Sequence, residues 1–475
     1  MKVKRYPVIV NGEEREKQNY VEIKNPYTEE TVAEYSLADE KDIDEACSGV
    51  VESFKKLKLS SFERKEILLR ISRKIRERAD ELVEWVVKEA GKPIALAKME
   101  VERCAQTFET AAGEVLNYGG EVIPIDVNEW TKGYFGFFRY VPKGPLLAIT
   151  PFNFPLNLLA HKIAPAIAIG APFVVKPAPQ TPVCAYNLLK IAFECGLPKG
   201  FASLIYCTNE LAERMVKREE FEVLSFTGSA KVGWHLKGIA GRKKVLLELG
   251  GNAPAIVHED ADIKWASRRI ALGGFMYAGQ ICISVQRVYV HEKIYEKFKE
   301  ELVYETKNLK VGNPFERDVI VGPLINREAA DRIESWVEKA VKNGAKVLTE
   351  RKRTGNLLYP LILESPSHAE EVVSEEIFGP VICIFSYKDV RSAIEKANDT
   401  RYGLQAAIFT KDINLALSAF EELDYGGVII NDYPTFRTDN YPYGGIKASG
   451  MGREGIKFAM LDMSETKMCV IRRGE

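Results

Sequence analysis

The sequence lacks a long uninterrupted apolar run. Its longest apolar stretch, residues 164–175, is broken by Pro165, Gly170 and Pro172, and no stretch approaches the roughly 20 residues that a membrane-spanning helix needs. The opening MKVKRYPVIVNG has too few apolar residues for the core of a signal peptide. We therefore expect a cytoplasmic protein with no membrane partner.

Net charge and metal ligands are also scarce. The 66 Lys and Arg almost cancel the 67 Asp and Glu, which leaves a formal net charge of −1 and no overall basic field for nucleic acid. The eight cysteines form no C-x-x-C pair, and the five histidines show no zinc-like spacing. We expect no nucleic-acid partner and no bound metal, and most thiols should be reduced and buried.

Glutamine is rare, with six residues against many Lys and Glu. This bias resembles the composition of heat-adapted proteins and suggests a thermophilic source. The remaining composition, 46% hydrophobic and 28% charged, is that of a globular protein and excludes disorder or a fibrous repeat. A chain of 475 residues should form two or three domains.

Short apolar runs alternate with helical periods from about residue 144 onward. One series extends to about residue 257 and a second from about 263 to 431, and such alternation is typical of βαβ units on a parallel sheet. The sequence therefore predicts two α/β lobes. The residues before 120 have mostly helical patterns, and Glu121–Tyr140 is predicted to be an aromatic hairpin that forms a subunit contact.

Cys282 is the candidate nucleophile. It lies in AGQICIS, between a predicted helix over 263–277 and a predicted strand over 285–290. A ligand can reach a thiol at such a junction, and the thiolate is the form that attacks carbon. Taken alone, the residue also fits the commoner buried structural cysteine.

Glu248 and Asn153 are candidate partners of this thiol. Glu248 is the one acid in the apolar run VLLELGG, where burial raises a carboxyl pKa and suits a general base. An equally good interpretation is that Glu248 is a structural acid that caps or anchors the double-glycine turn after it. Asn153 is framed by prolines in TPFNFPLN, so its amide can be a rigid oxyanion donor or belong to an ordinary turn.

Two more segments suggest an anion site at one edge of the first predicted sheet. In FTGSAKVG, Gly228 and Ser229 open a helix whose backbone N–H groups can face a phosphate, although the segment is not the usual G-x-G-x-x-G. Lys176 ends the strand VVKP at the edge where doubly wound folds bind ligands. The alternative is a plain surface lysine.

From about residue 10 to the end, these segments together resemble the aldehyde dehydrogenase superfamily. The matching segments, in order, are PFNFP, KPAPQTP, FTGSAKVG, ELGGNAP, GQIC, EEIFGP and PYGGIKASGMGREG. The spacing of 34 residues from Glu248 to Cys282 is also that of the family. The resemblance implies two Rossmann-like parallel-sheet lobes, one for the cofactor and one for catalysis, with a small β oligomerisation arm.

The resemblance also implies domain boundaries and an assembly. Residues 1–123 and 143–248 would form the NAD(P)-binding domain, and residues 249–447 the catalytic domain. Residues 124–142 and 448–475 would form the oligomerisation segment. Through this segment Met468–Arg472 would add a strand to a neighbour's sheet, in a homo-oligomer that is a dimer or a tetramer.

The implied activity is NAD- or NADP-dependent oxidation of an aldehyde to a carboxylate. Cys282 would attack the aldehyde, and the Asn153 amide would hold the oxyanion together with the Cys282 backbone N–H. Hydride would pass to the nicotinamide. Glu248 would then activate the water that hydrolyses the thioester, and it would help to deprotonate the thiol.

The same resemblance implies the cofactor contacts. Lys176 would bind the adenosine ribose, Ser229 the pyrophosphate and Glu376 the nicotinamide ribose, with Phe378 near the nicotinamide ring. Further cofactor-binding residues implied in this way are Thr150, Phe152, Pro179, Gly228 and Gly250.

Two of these positions depart from the family pattern. Pro179 stands three residues after the lysine, where many NAD-preferring members carry a glutamate that repels a 2′-phosphate. Without that charge we expect use of both NAD and NADP. Phe152 replaces the usual tryptophan, a conservative change that should not affect the chemistry.

Substrate choice rests on the surroundings of the nucleophile. Cys282 lacks the adjacent arginine of some members that oxidise phosphorylated aldehydes. Arg437, in YPTFRTDNYPYGG, would line the substrate funnel and pair with a hydroxyl, carboxylate or phosphate, or instead form a salt bridge with Asp439 or Asp432. The FRTDNYPYGG and KPAPQTP forms resemble the branch that oxidises lactaldehyde, glycolaldehyde, glyceraldehyde and related short hydroxyaldehydes.

Other functions within the fold stay open. One is a non-phosphorylating glyceraldehyde-3-phosphate or succinate-semialdehyde dehydrogenase. Another is a CoA-acylating semialdehyde dehydrogenase, whose members typically lack the base glutamate, so that Glu248 favours hydrolysis. A non-catalytic protein of the same fold, like some lens crystallins, is disfavoured because Cys282, Glu248 and Asn153 fill every catalytic role.

Overall fold

The computed structural model describes residues 3–473. Its strands are β1 (Arg5–Tyr6), β2 (Val8–Val10), β3 (Glu13–Arg15), β4 (Tyr20–Lys24), β5 (Thr31–Ser36), β6 (Gly120–Ile123), β7 (Tyr134–Pro142), β8 (Leu146–Ile149), β9 (Phe173–Lys176), β10 (Ala202–Leu204), β11 (Val223–Thr227), β12 (Lys244–Glu248), β13 (Ala253–Val257), β14 (Val285–His291), β15 (Lys346–Val347), β16 (Arg353–Thr354), β17 (Leu357–Leu358), β18 (Leu361–Glu364), β19 (Val381–Tyr387), β20 (Gln405–Phe409), β21 (Gly427–Ile430), β22 (Gly450–Met451) and β23 (Ser464–Arg472). Its α-helices are α1 (Glu40–Lys56), α2 (Ser61–Glu77), α3 (Ala79–Ala90), α4 (Ile94–Glu114), α5 (Asn157–Ile169), α6 (Pro182–Glu194), α7 (Asn209–Lys217), α8 (Ala230–Ile239), α9 (Ile263–Phe275), α10 (Tyr295–Lys307), α11 (Arg327–Lys342), α12 (Glu371–Ser374), α13 (Val390–Asn398), α14 (Ile413–Glu422) and α15 (Ile456–Asp462). Among residues 3–473, no helix is long and apolar enough to cross a lipid bilayer.

The first sheet has eight strands in the order β22-β12-β11-β8-β9-β10-β2-β3. Its five central strands, β12 to β10, run parallel, and they are largely buried on both faces, as a parallel sheet covered by helices requires. From β8 the chain builds outward through β9 and β10, and then returns to add β11 and β12 on the other side. The strand order therefore reverses between β8 and β11, which is where open α/β sheets bind ligands.

The second sheet has seven strands in the order β15-β18-β19-β14-β13-β20-β21. All neighbouring pairs from β18 to β21 are parallel, and only β15 joins antiparallel. The chain leaves the first sheet at Glu248 and enters the second at Ala253. Each sheet has its own buried apolar core. The turn that carries Cys282 lies between α9 and β14 of the second lobe.

A third, separate sheet forms an arm, which we call the arm sheet. It is antiparallel with the order β23-β7-β6, and β7 pairs along its whole length with β23, from Tyr134 opposite Arg472 to Pro142 opposite Ser464. The two α/β lobes and the β arm agree with the predicted fold class. The aromatic hairpin predicted over Glu121–Tyr140 corresponds to β6 and β7.

The start of the chain differs from the prediction. The residues before 120 are mostly helical, as expected, because α1 to α4 fill most of residues 40–114, but five short strands that were not expected precede α1 at Glu40. Most of these strands pair with one another, β2 with β3 and β5 with both β1 and β4, and Ile9 in β2 also pairs with Leu204 in β10. Strands of only two to six residues show no clear alternation, so the sequence pattern did not reveal them.

The extent of the arm also differs from the expected ranges of 124–142 and 448–475. β6 pairs with β7 from Gly120 onward, so the arm sheet starts before residue 124. In the tail, β22 joins the first sheet beside β12, α15 packs against α4 and α5, and only β23 lies in the arm sheet. The tail therefore first completes the sheet that carries Glu248, and then forms the arm.

Candidate active site

Cys282 lines a cavity of about 350 Å³ beside α4, α9 and the segment 432–443. The chain reaches it through a tight turn after α9, in which Tyr277, Ala278 and Gly279 have positive φ angles of 54°, 54° and 67°. Such a backbone costs free energy in non-glycine residues and is held by its surroundings. Here the Gln280 side chain donates to the carbonyl oxygens of Tyr277 and Pro323, at 3.2 and 3.1 Å.

The sulfur of Cys282 is partly buried and has a hydroxyl beside it. Burial raises the pKa of the thiol to about 12. The Tyr443 hydroxyl, 3.2 Å from Sγ, and the positive charge of Arg437 act in the opposite direction, whereas the carboxylates of Glu376 and Glu248 raise the pKa further. The ionisation of this thiol therefore depends on the groups around it.

Asn153 lies against the turn that carries the nucleophile. Its side chain is 3% exposed, and Nδ2 donates to the Gln280 carbonyl oxygen, two residues before Cys282, at 3.0 Å. An amide nitrogen has two N–H groups, and among residues 3–473 the second one has no acceptor. This geometry fits the oxyanion role expected for Asn153.

Glu248 is a buried acid at the end of β12. It is 5% exposed, and among residues 3–473 its Oε2 has no hydrogen-bond partner. Burial and the neighbouring Glu454 raise the pKa of Glu248 well above its usual value, while Arg437 and Lys162 act to lower it. A carboxyl in this state can take a proton near neutral pH, as a general base must.

The buried charges behind Glu248 were missed by the sequence analysis. The Lys162 amine donates to Ser225 Oγ at 2.9 Å and lies 3.6 Å from Glu454 Oε1. Arg437 donates from Nη2 to Glu454 Oε2 at 2.8 Å. The available signal was Lys162 itself, a charged residue in the apolar helix α5, every residue of which is buried.

Arg437 lines the cavity, but its charge is already engaged. Of its two expected partners, Asp439 lies 3.9 Å from Nε and Asp432 pairs with Arg269 at 2.6 Å. The closest carboxylate of Arg437 is Glu454, which sequence proximity did not suggest. The salt-bridge alternative therefore describes Arg437, with the expected Asp439 as a longer contact and Glu454 as the closer partner.

The other predicted residues meet at the carboxyl edge of the first sheet. Thr150 follows β8 and donates its backbone N–H to the Lys176 carbonyl at 3.2 Å, where β9 ends. Gly228 follows β11 and donates to the Glu248 carbonyl at 3.1 Å. Ser229 caps α8 by accepting from the Val232 N–H at 3.4 Å.

The Lys176 amine is buried without a counter-charge. Burial lowers its pKa, which only the Cys207 thiol opposes, and no carboxylate within residues 3–473 contributes. A buried amine in this position fits hydroxyl groups of a ribose. Pro179 follows nearby, and its carbonyl oxygen accepts from the Tyr206 hydroxyl at 3.1 Å.

An acid and two aromatic rings lie at the opposite end of this edge. Glu376 accepts from the Gly251 N–H at 3.2 Å, and burial raises its pKa to about 7. Phe378 and Phe152 pack edge to face with ring centres 5.8 Å apart. The edge thus presents an amine, a helix N-terminus, a carboxylate and an aromatic pair, a set that fits the successive parts of a nicotinamide dinucleotide.

Two α/β lobes with a thiol between them define a class of dehydrogenase, and comparisons with known proteins identify it. The model of the Aldehyde dehydrogenase family matches residues 13–469. The chain is 40% identical over 470 residues to the 3-sulfolactaldehyde dehydrogenase of Priestia megaterium, covering 99% of this chain and 98% of the relative. It is 42% identical over 460 residues to the lactaldehyde dehydrogenase of Methanocaldococcus jannaschii, covering 95% and 97%.

Solved structures give the same result. Aldehyde dehydrogenase 21 of Physcomitrella patens, in complex with the reaction product succinate, has a TM-score of 0.97 at 43% identity, with 99% of each chain covered. The glyceraldehyde-3-phosphate dehydrogenase GapN of Methanocaldococcus jannaschii, complexed with NADP, has a TM-score of 0.92 at 42% identity, covering 97% of this chain and all of the other. The chain belongs to the aldehyde dehydrogenase family. The predicted fold, the dehydrogenase activity and the use of NAD or NADP are thereby confirmed.

The close approach of the Glu376 carboxylate to Gly250 provides a test of the cofactor site. A Cβ atom at Gly250 would overlap the Glu376 carboxylate, so Gly250→Ala should displace that side chain and weaken NADP binding by about tenfold or more. Titration of protein fluorescence with NADP measures the dissociation constant. Gly238→Ala is the control, because a Cβ atom there meets nothing within 4 Å; equal affinities in the two variants would contradict the assignment of Glu376.

Proposed function

We propose that this protein oxidises a short hydroxyaldehyde, such as lactaldehyde, glycolaldehyde or glyceraldehyde, to its carboxylate. The main observation behind this proposal is that the Cys282 thiol lines a cavity of about 350 Å³. A cavity of this size suits a substrate of a few carbon atoms. The relatives named lactaldehyde and 3-sulfolactaldehyde dehydrogenase support this substrate class.

Cys282, Asn153 and Glu248 each have one role in the proposed reaction. The thiolate of Cys282 adds to the aldehyde carbon, and the resulting oxyanion lies near the free N–H of Asn153. NAD or NADP, which Lys176, Ser229 and Glu376 would hold, would supply the hydride acceptor, and loss of hydride from that carbon would leave a thioester. Glu248 removes a proton from water, the hydroxide adds to the thioester, and the thiolate of Cys282 departs as the carboxylic acid forms.

A second candidate is a hydroxyaldehyde that carries an acidic group at its far end. Besides Arg437, the cavity is lined by Lys92, Arg103 and Arg269. Each of the four cations pairs with a carboxylate, but Arg103 and Arg269 keep 25% and 20% of their side chains exposed. Guanidinium groups bind sulfonate, phosphate or carboxylate well, and the name 3-sulfolactaldehyde dehydrogenase describes such a substrate.

A substrate panel distinguishes these candidates. Reduction of NAD and NADP would be followed with glycolaldehyde, lactaldehyde, glyceraldehyde, 3-sulfolactaldehyde, glyceraldehyde 3-phosphate, succinate semialdehyde and a plain alkanal, and kcat/KM compared. The highest value with an uncharged hydroxyaldehyde supports the first candidate, and with 3-sulfolactaldehyde or glyceraldehyde 3-phosphate the second. A preference for the semialdehyde or the alkanal would contradict both, and a requirement for coenzyme A would contradict hydrolysis.

Removal of the base should stop the reaction after the first half. In Glu248→Gln we expect one equivalent of NADH to form rapidly and steady turnover to fall by about a hundredfold or more. Because burial raises the pKa of Glu248, the base form increases with pH, so the wild-type rate should rise with pH well above the range of an ordinary carboxyl. The variant should lose this dependence, as stopped-flow absorbance would show.

Cys282→Ala is the companion variant, and it should show neither the initial burst nor turnover. Full activity in that variant would overturn the assignment of Cys282. A burst in Glu248→Gln followed by unchanged turnover would overturn that of Glu248 alone.

We also propose that the uncharged Pro179 allows NADP. Pro179→Glu should lower kcat/KM for NADP by about tenfold or more, because the new carboxylate repels a 2′-phosphate, and leave NAD almost unchanged. Pro179→Gln is the matched control without the charge. A wild-type preference for NAD above about a thousandfold, roughly 4 kcal/mol, would contradict dual use.

We further propose a homo-oligomer, a dimer or a tetramer, built through the arm. Within residues 3–473, β23 pairs with β7 alone and so lies at an edge of the arm sheet, and β21 is likewise an edge of the second sheet. Exposed edges and apolar patches mark association surfaces. Exposed apolar side chains of the arm are Val122, Trp130, Val470 and Ile471, and those of α14 are Ile413, Leu417 and Phe420.

This assembly follows the proposed division into a cofactor domain on the first sheet, a catalytic domain on the second, and an arm that adds Met468–Arg472 to a neighbour's sheet. Analytical ultracentrifugation at micromolar concentration should show the oligomer, and Val470→Asp should weaken it. Phe62→Asp, at a residue on α2 that is 72% exposed, is the control. A monomeric wild-type protein would contradict the proposal.

The composition supports two further proposals, a heat-adapted source and a cytoplasmic location. Glutamine is limited to six residues, and surface ion pairs such as Arg76 with Glu102 and Glu109 form networks of the kind that stabilise proteins at high temperature. A melting temperature within the mesophilic range of about 45–65 °C would contradict heat adaptation. Fractionation of the source cells tests the location.

A further inference from the structure

Tyr443 touches the candidate nucleophile, and no role has been given to it so far. Its hydroxyl oxygen lies 3.2 Å from Cys282 Sγ. Among residues 3–473, it is the hydrogen-bonding partner of that sulfur. The side chain is 3% exposed, so water does not compete freely for this contact.

The backbone around Tyr443 is fixed on both sides. Tyr443 and Glu454 exchange two backbone hydrogen bonds, of 3.0 and 2.7 Å, in an isolated antiparallel bridge. The next residue, Gly444, passes so close to the base that a Cβ atom there would lie 2.9 Å from Glu248 Oε1. The chain at Tyr443 and Gly444 is therefore next to both Cys282 and Glu248.

Arg437 covers the face of the Tyr443 ring. Its guanidinium carbon lies 3.8 Å from the ring centre, and the hydrogen bond to Glu454 holds it in place. A buried cation on an aromatic face is attracted by the ring electrons, and it withdraws electron density from the phenol. Such a phenol is a stronger hydrogen-bond donor.

The protonation state of Tyr443 suits a donor. Burial raises its pKa well above the usual value of a tyrosine, so the hydroxyl keeps its proton at the pH where the enzyme works. When Cys282 is a thiol, either atom of the pair can donate. When Cys282 is a thiolate, only the tyrosine has a proton to donate, so the contact favours the thiolate over the thiol.

The other groups that face the sulfur make this donor necessary. Glu248, from β12, and Glu376, from the loop after α12, both disfavour a second negative charge there. Arg437, from the segment 432–443, favours it, and the hydroxyl of Tyr441 lies farther away in the same segment. Against burial and two carboxylates, the thiolate has one cation and one hydrogen bond.

We propose that Tyr443 is a further catalytic residue, whose hydroxyl donates a hydrogen bond to the Cys282 thiolate and so sets the fraction of nucleophile that can react. Arg437 is the positioning residue that holds the ring and strengthens the donor. This inference rests on the proposed role of Cys282 as the nucleophile. It gives Arg437 a role that does not require contact with the substrate.

The test is Tyr443→Phe, which keeps the ring and its stacking on Arg437 but removes the hydroxyl. The full-length protein, without cofactor, would be treated with iodoacetamide over a range of pH, and mass spectrometry would follow alkylation of Cys282. We expect the midpoint of the rate profile to rise by about one pH unit, so that alkylation below both midpoints slows about tenfold, as the loss of a charge-assisted hydrogen bond implies.

Tyr441→Phe is the matched control from the same segment. The Tyr441 hydroxyl donates to Gln405 Oε1 and the Phe436 carbonyl oxygen, at 2.9 and 3.2 Å, so its loss should leave the midpoint unchanged. Equal midpoints in Tyr443→Phe and wild type would overturn the inference, because a packing role does not move the ionisation of the sulfur. An equal shift in both tyrosine variants would overturn it as well.

The outcome is separable from that of the proposed function. If Cys282→Ala keeps its turnover, the proposed function fails and this inference fails with it. If Cys282→Ala loses turnover while the midpoint in Tyr443→Phe does not move, only the inference about Tyr443 fails.

Discussion

A group of four buried charges at the junction of the two lobes is the interaction on which the site depends. Glu248 and Glu454 are two carboxylates in an apolar interior, and Lys162 and Arg437 are the cations that compensate them. Isolated buried charges are costly, and removal of one partner leaves the others uncompensated. Glu248 ends β12, Lys162 lies in α5, Glu454 follows β22, and Arg437 lies in the segment 432–443. The contacts between these four residues therefore hold the elements together as well as balancing their charges.

This arrangement also explains why one cysteine differs from its buried neighbours. Most of the other thiols, such as Cys104 and Cys383, are buried and have raised pKa values, with few groups near them to favour ionisation. Cys282 shares the burial, but it lies beside a hydroxyl donor and a guanidinium. Reactivity is thus a property of the surroundings that the second lobe brings to the thiol.

The sequence predicted what depends on local pattern or on motif order. The parallel strands were found because buried strands such as Phe173–Lys176 are continuous apolar runs between glycines and prolines, and the edge that gathers Lys176 and Ser229 follows from parallel topology. Contacts between distant segments were not predictable in this way. The antiparallel addition of β22 to β12, and the position of Glu454 as a closer partner of Arg437 than Asp439, depend on how the tail folds back, which no local periodicity encodes.

The position of β22, Glu454 and β23 in the chain has a consequence for synthesis. A ribosome releases Cys282 and the strand that ends at Glu248 long before it releases this stretch. Until then the first sheet has an open edge beside Glu248, two of the buried cations lack their carboxylate, and the arm has no outer strand. A nascent or truncated chain without this stretch therefore lacks both the charge balance around Glu248 and the outer strand of the arm sheet, so one late segment completes the candidate site and the arm together.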